Sequence, residues 1–180
     1  MNNKYFPIVE RWSLPAAALH ESIVEMSRDG VRGNEGVVLW LGRRTNGEAH
    51  VSHIVALRGD NVIKGPDQLI LKESIFAAVT DVAIDIGVSL IGQIHSHGPG
   101  YGVDLSPTDR MYGVSVPYYL SLVAPDYAMR PNTTLLECGV HVLRPGDGFI
   151  RLGPAEIKAR VRLTTEPLAK MIIVGEGRYA

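Results

Sequence analysis

A single cysteine, Cys138, is present among the 180 residues. One thiol excludes an internal disulfide and any zinc site built from several cysteines. Excess positive charge is also lacking: 18 Lys and Arg stand against 19 Asp and Glu, for a formal net charge of -1. No Lys/Arg run or basic stripe occurs, so the electrostatic footprint of a nucleic-acid partner is missing. Long hydrophobic runs are absent as well. The strongly apolar stretches Val37–Leu41 and Val88–Ile94 fall far short of the roughly 20 residues a membrane helix needs. The opening MNNKYFPIVERW has no signal-peptide core. A cytoplasmic, reducing location without membrane attachment is therefore expected. Neither an internal repeat nor a low-complexity segment is visible.

What is present has the make-up of an ordinary globular domain, with 46% hydrophobic and 21% charged residues. The length suits one domain over residues 1–180. A chain near 150 residues already buries roughly 70% of its unfolded surface, enough for a sizeable core.

Hydrophobic spacing predicts the elements. Ser13-Leu14-Pro15 opens a helix that runs through Ser27 and ends at Asp29-Gly30. Gly36–Leu41 (GVVLWL) reads as a buried strand and Ala49–Leu57 as a second, with a hairpin turn at Thr45-Asn46-Gly47. Gly59–Asp67 is expected to be a loop, and Leu69–Ile86 a helix stopped by Gly87. Val88–His97, Tyr118–Ala124, Leu135–Leu143 and Phe149–Leu152 read as strands, and Ser106 opens a short helix. A last helix from Ala155 to about Arg162 precedes an irregular tail. The order implies an α/β sandwich whose mixed sheet is mostly antiparallel. Its core covers about 10–152, with a C-terminal helix and tail over 153–180.

The chemistry concentrates in IGQIHSHGPGYGVDLSPTDR, residues 91–110. Alternate residues of a strand project from one face, so His95 and His97 point the same way and can converge on one ion. Ser106-Pro107 is a strong helix start, with serine as cap and proline at the first helical position. Asp109, three residues on, then lies at the helix N-terminus and can face the strand end. Two imidazoles and one carboxylate leave a fourth position open, which is the ligand count of a catalytic zinc and not of a closed structural one. Such a site acidifies water and needs a proton acceptor nearby. Glu35, at the head of EGVVLWLG, can serve as that base from a sheet end. The Ser106 hydroxyl is placed to donate to a carbonyl oxygen.

Glu35, the HSH at 95–97 and the SPTD at 106–109 together resemble the motif of the JAMM/MPN+ zinc metalloproteases. The order of elements over about 10–152 resembles that family's domain too, a cytidine-deaminase-like sandwich. The resemblance implies one Zn2+ per chain held by His95, His97 and Asp109. It implies Glu35 as general base and Ser106 as the residue that steadies the oxyanion. It further implies hydrolysis of an isopeptide or peptide bond at the C-terminus of a ubiquitin-like protein, in deconjugation or precursor processing. Short insertions suit a compact prokaryotic type. Such relatives work beside E1/E2-like enzymes in antiviral conjugation operons, or on sulfur-carrier proteins. A non-catalytic MPN scaffold is the alternative of a different class. The chain departs from the pattern in one place: the stretch between His97 and Ser106, Gly98–Leu105, is one residue longer than usual, and the usual proline after the second histidine is displaced to Pro99. Glycines at 98, 100 and 102 can absorb the insertion.

The remaining histidines read as structural. His50 and His53, three apart on a strand, fall on opposite faces. His20 reads as a helix-surface residue, and His141 has no partner legible in the sequence. Cys138 reads as a packed strand residue and not as the nucleophile of a Cys-His pair. Gly98–Gly102 is no phosphate loop, because no Lys-Ser/Thr follows it. The Pro-Cys-x-x-Cys of zinc deaminases is absent as well.

Overall fold

Val37–Leu41 is apolar at every position because its strand is covered on both faces. Strand β2 spans Val37–Thr45 in the computed structural model, which describes residues 7–168 and 170–175. Val38 and Trp40 pack into one cluster with Ala18, Leu19, Ile23 and Met26. Those four lie on helix α1 (Ala16–Gly30). Val37, Leu39 and Leu41 pack into a second cluster with Ile75, Val79, Val82 and Ala83. These belong to helix α2 (Glu73–Asp85). The sheet is thus the middle layer between two helical layers, the arrangement that hides both of its apolar faces. Trp40 buries its indole fully, and its Nε1–H donates to Ser22 Oγ at 3.0 Å, so the one polar atom of the ring is satisfied.

Strands β1 (Val9–Pro15), β2, β3 (Gly47–Leu57), β6 (Ser89–Ser96), β7 (Leu120–Ala124), β8 (Gly139–Arg144), β9 (Gly148–Arg151), β10 (Val161–Thr164) and β11 (Lys170–Val174) form one sheet. Its order is β10-β1-β3-β2-β6-β7-β8-β9, and β11 also pairs with β3. Strands β4 (Val62–Lys64) and β5 (Leu69–Leu71) form a separate hairpin. Pairs β1–β10, β1–β3, β3–β11 and β6–β7 are parallel; β2–β3, β2–β6, β7–β8 and β8–β9 are antiparallel. The α/β class holds. The main sheet is evenly mixed, not mostly antiparallel as expected.

Several elements differ from the sequence reading. Ser13-Leu14-Pro15 ends strand β1, and the helix starts only at Ala16. Trp12 and Leu14 are fully buried, and pairing with β3 and β10 outweighs the local helix-start signal. The expected loop at 59–67 contains β4, and Leu69–Leu71 is a strand before α2, with Ile63 opposite Ile70. Leu135–Glu137 is a 3₁₀ turn, closed by a Thr134–Glu137 capping box, before β8 begins at Gly139. The last helix, α4, spans Pro154–Arg160. The segment expected as an irregular tail supplies β10 and β11 to the main sheet, so that sheet extends past residue 152. Residues 176–180 lie outside the described residues. Among the described residues no helix is long and apolar enough to cross a membrane.

Candidate metal centre

The β2–β6 register brings the site together. Val37 lies opposite His95 in the antiparallel ladder. Gly36 N–H donates to Ser96 Oγ at 2.9 Å, and Ser96 N–H donates to Gly36 O at 3.0 Å. Continuing this register sets Glu35 level with His97. Ile94 faces the α1 layer, while Gln93, His95 and His97 face the opposite way and line a cavity of about 1100 Å³. The expectation that both histidines share a face holds because the strand period of two runs unbroken from Gln93 onward.

The glycine-rich segment folds the next helix over them. Gly100 and Gly102 take φ of +87° and +72°, a left-handed conformation that side chains disfavour. At Gly98 a Cβ would fall 2.6 Å from the Tyr127 hydroxyl, so a larger residue directly after His97 would require that side chain to shift. Helix α3 (Pro107–Tyr112) then starts with a complete capping box. Asp109 N–H donates to Ser106 Oγ at 3.1 Å, and Ser106 N–H donates to Asp109 Oδ2 at 2.8 Å. The box aims the carboxylate at the histidines. Asp109 Oδ2 lies 3.3 Å from His97 Nε2 and 3.5 Å from His95 Nε2, and the two Nε2 atoms are 3.3 Å apart.

These three atoms make a nearly equilateral triangle. A tetrahedral ion with N and O ligands at about 2.0–2.2 Å holds them about 3.3–3.6 Å apart. The side lengths therefore match one face of such a tetrahedron. The tautomer agrees: His97 Nδ1 meets the Gly102 carbonyl at 3.2 Å. A carbonyl only accepts, so Nδ1 carries the hydrogen and Nε2 of the neutral ring presents a lone pair. His95 and His97 are 1% and 5% exposed. Among the described residues, this is the one set of three ligating side chains drawn within 4.8 Å of one another, and it can hold a metal ion.

Glu35 lines the same cavity, 7% exposed. Burial pushes its carboxyl up to about 7, against the attraction of His97 and with the repulsion of Asp109 and Asp67. Burial would also raise Asp109. Hydrogen bonds from His95 and His97 outweigh it and hold the carboxyl well below the usual carboxylate range. Burial lowers His97, yet its hydrogen bond to Asp109 and the charge of Glu35 raise it overall.

A pH dependence follows. In the metal-free protein a proton stays between His97 and Asp109 to higher pH than an ordinary histidine near 6.5 allows. A cation must displace that proton, so affinity falls as pH drops through the raised value and recovers above it. Zinc affinity measured between about pH 6 and 8 should rise with pH, by up to about tenfold per unit for each proton released. A flat profile over that range would contradict proton competition at this site.

All five residues singled out in the sequence line this cavity: Glu35, His95, His97, Ser106 and Asp109. Cys138 is buried, and burial pushes its thiol up to about 12, which leaves it unreactive. His141 does have a partner, Asp104, at 2.7 Å. Sequence reasoning missed Gln93, whose side chain approaches His95 Nδ1 at 3.5 Å and Tyr119 OH at 3.3 Å. Its position two residues before His95 was the available signal. It also missed Tyr127, whose N–H donates to the His97 carbonyl at 2.7 Å and whose hydroxyl donates to Pro66 O at 2.8 Å. Tyr127 sits in a left-handed turn with Asp126 and Ala128, φ of 54° to 57°, which no local pattern announces.

Fold and site define an α/β protein with a candidate metal centre at one end of its sheet. No family model matches the chain, and no curated protein matches it. Among solved structures it is similar to the solution structure of protein DSY2949 from Desulfitobacterium hafniense. The TM-score is 0.62 at 17% identity, over 86% of this chain and 94% of that one. At that identity the likeness bears on the fold alone.

Proposed function

We propose that this chain is a zinc-dependent metalloprotease of the JAMM/MPN+ type. Its reaction is hydrolysis of an isopeptide or peptide bond at the C-terminal end of a ubiquitin-like protein. The observation that carries the reading is the triangle of His95 Nε2, His97 Nε2 and Asp109 Oδ2, 3.3–3.5 Å on a side, in a cavity shared with Glu35 and Ser106. A zinc ion held there would supply a Lewis acid that polarises a carbonyl and acidifies water. Glu35, buried in the wall of the same cavity, takes a proton from the attacking water and returns it to the leaving amine. Ser106 Oγ already accepts from Asp109 N–H, so its own hydrogen is free to donate to the oxygen that gains negative charge. Ser106 N–H donates to Asp109 Oδ2 at 2.8 Å and helps keep that carboxyl ionised.

Leu69, Leu71, Phe76 and Leu105 give the cavity apolar lining, suited to an extended chain beside the reacting carbonyl. Glycines at the end of the modifier allow the close backbone approach this requires. A scaffold that only binds partners has no need of three converging ligand atoms.

The test uses linear fusions in which ubiquitin-like proteins or sulfur carriers ending in Gly-Gly precede a reporter peptide. Zinc-loaded protein should cut after the second glycine, with the product mass fixing the bond. A chelator should abolish cutting, and zinc should restore it. Zinc-loaded protein inert on every fusion, or activity that survives chelation, would overturn the proposal.

A further inference from the structure

The segment between His97 and Ser106 is fastened to β8 through Asp104. Asp104 Oδ1 accepts from His141 Nε2 at 2.7 Å, from Leu105 N–H at 2.9 Å and from Arg110 at 3.1 Å. Arg151 stands 3.9 Å from Oδ2. His141 lies on β8, is 0% exposed, and its Nδ1 is buried without a hydrogen-bond partner. A buried imidazole left half-satisfied costs stability relative to an apolar residue of similar size. Its compensation is the contact with Asp104. Two residues earlier on the same face of β8, Gly139 touches the loop backbone: a Cβ there would fall 1.6 Å from the Val103 carbonyl oxygen. The loop therefore lies directly on β8, and the Asp104–His141 bond holds it down.

The anchor sits between the two parts of the loop that serve the triad. Two residues before it, the Gly102 carbonyl takes the Nδ1–H of His97. Two residues after it, Ser106 starts the helix that carries Asp109. Arg110, on that helix, reaches back to Asp104 and so couples the helix to the same point. We infer that Asp104, held by His141, is a positioning residue of the metal centre: it fixes the loop so that Gly102 sets the tautomer of His97 and α3 presents Asp109. The inference rests on the reading that His95, His97 and Asp109 bind a divalent cation.

Cobalt(II) is the probe, because its visible absorption reports the ligand arrangement as well as occupancy. Asp104→Ala should weaken Co2+ binding about tenfold, the lower end of what loss of an outer partner costs a metal site. Its visible spectrum should also change. Asp104→Asn keeps an acceptor oxygen for His141 and Leu105 N–H, and should stay within about threefold of the parent with the parent spectrum. His141→Leu should act like Asp104→Ala, and combining the two should add little, because both break one contact. If His141→Leu does not fold, the two Asp104 variants carry the test, since Asp104 is half-exposed. Folded Asp104→Ala with parental affinity and spectrum would overturn the inference while leaving the metal site standing. Asn as weak as Ala would assign the effect to lost charge and overturn it too. Parent protein that binds no Co2+ would overturn the metal reading itself, and this inference with it.

Discussion

Glu35→Gln should keep the fold and the zinc and lower hydrolysis by about 100-fold or more. The amide matches the carboxylate in size but cannot take a proton. Three observations separate Glu35 from the ligands. The ligand triangle closes without it. It sits at the head of β2, across the register from His97 and not on the loop or helix that carries Asp109. Its carboxyl is raised to about 7 chiefly by burial, whereas that of Asp109 is held far down by its donors. Two carboxylates in one cavity with values pushed apart mark a division between proton carrier and fixed charge. Turnover on a Gly-Gly fusion, zinc content and thermal midpoint in the same preparation check the prediction. Unchanged turnover would remove Glu35 from the chemistry, and loss of zinc would make it a ligand.

Ser106→Ala should lower kcat by roughly 100-fold, about 2.7 kcal/mol at the transition state, while zinc stays bound. The geometry explains why the metal survives. Asp109 Oδ2 is held by the backbone N–H of residue 106, which alanine retains. What is lost is Oγ, the acceptor for Asp109 N–H. Loss of that cap costs about 1 kcal/mol of stability, visible as a lower denaturation midpoint but not as lost turnover in protein that remains folded. Ser106→Thr keeps both the cap and a free hydroxyl hydrogen and should recover most of the activity. Alanine with near-parental kcat would leave the serine a cap only.

Legibility followed the range of the interactions. The both-sided burial of Val37–Leu41 shows in the sequence because each residue there meets a core. The shared face of His95 and His97 follows from a period of two, and the cap at Ser106 from residues three apart. All three are local rules. Ser13-Leu14-Pro15 satisfies the local rule for a helix start, while the pairing that makes it the end of strand β1 involves Gly47–His50 and Val161–Thr164. Strands β10 and β11 were missed for the same reason: their partners lie in β1 and β3, more than a hundred residues earlier. The partner of His141 was invisible because Asp104 reaches it only after the loop lies down on β8. Leu69-Ile70-Leu71 fits a strand or a helix, and only the cross-strand contact of Ile63 with Ile70 decides between them.

The most direct test of the account is zinc titration combined with X-ray absorption on the whole chain. One zinc per chain is expected, with nitrogen and oxygen ligands at about 2.0–2.2 Å, including two imidazoles. Binding should be lost in His95→Ala, His97→Ala and Asp109→Ala and retained in Glu35→Gln. No zinc bound by the folded parent, or zinc that persists unchanged in all three ligand variants, would contradict it.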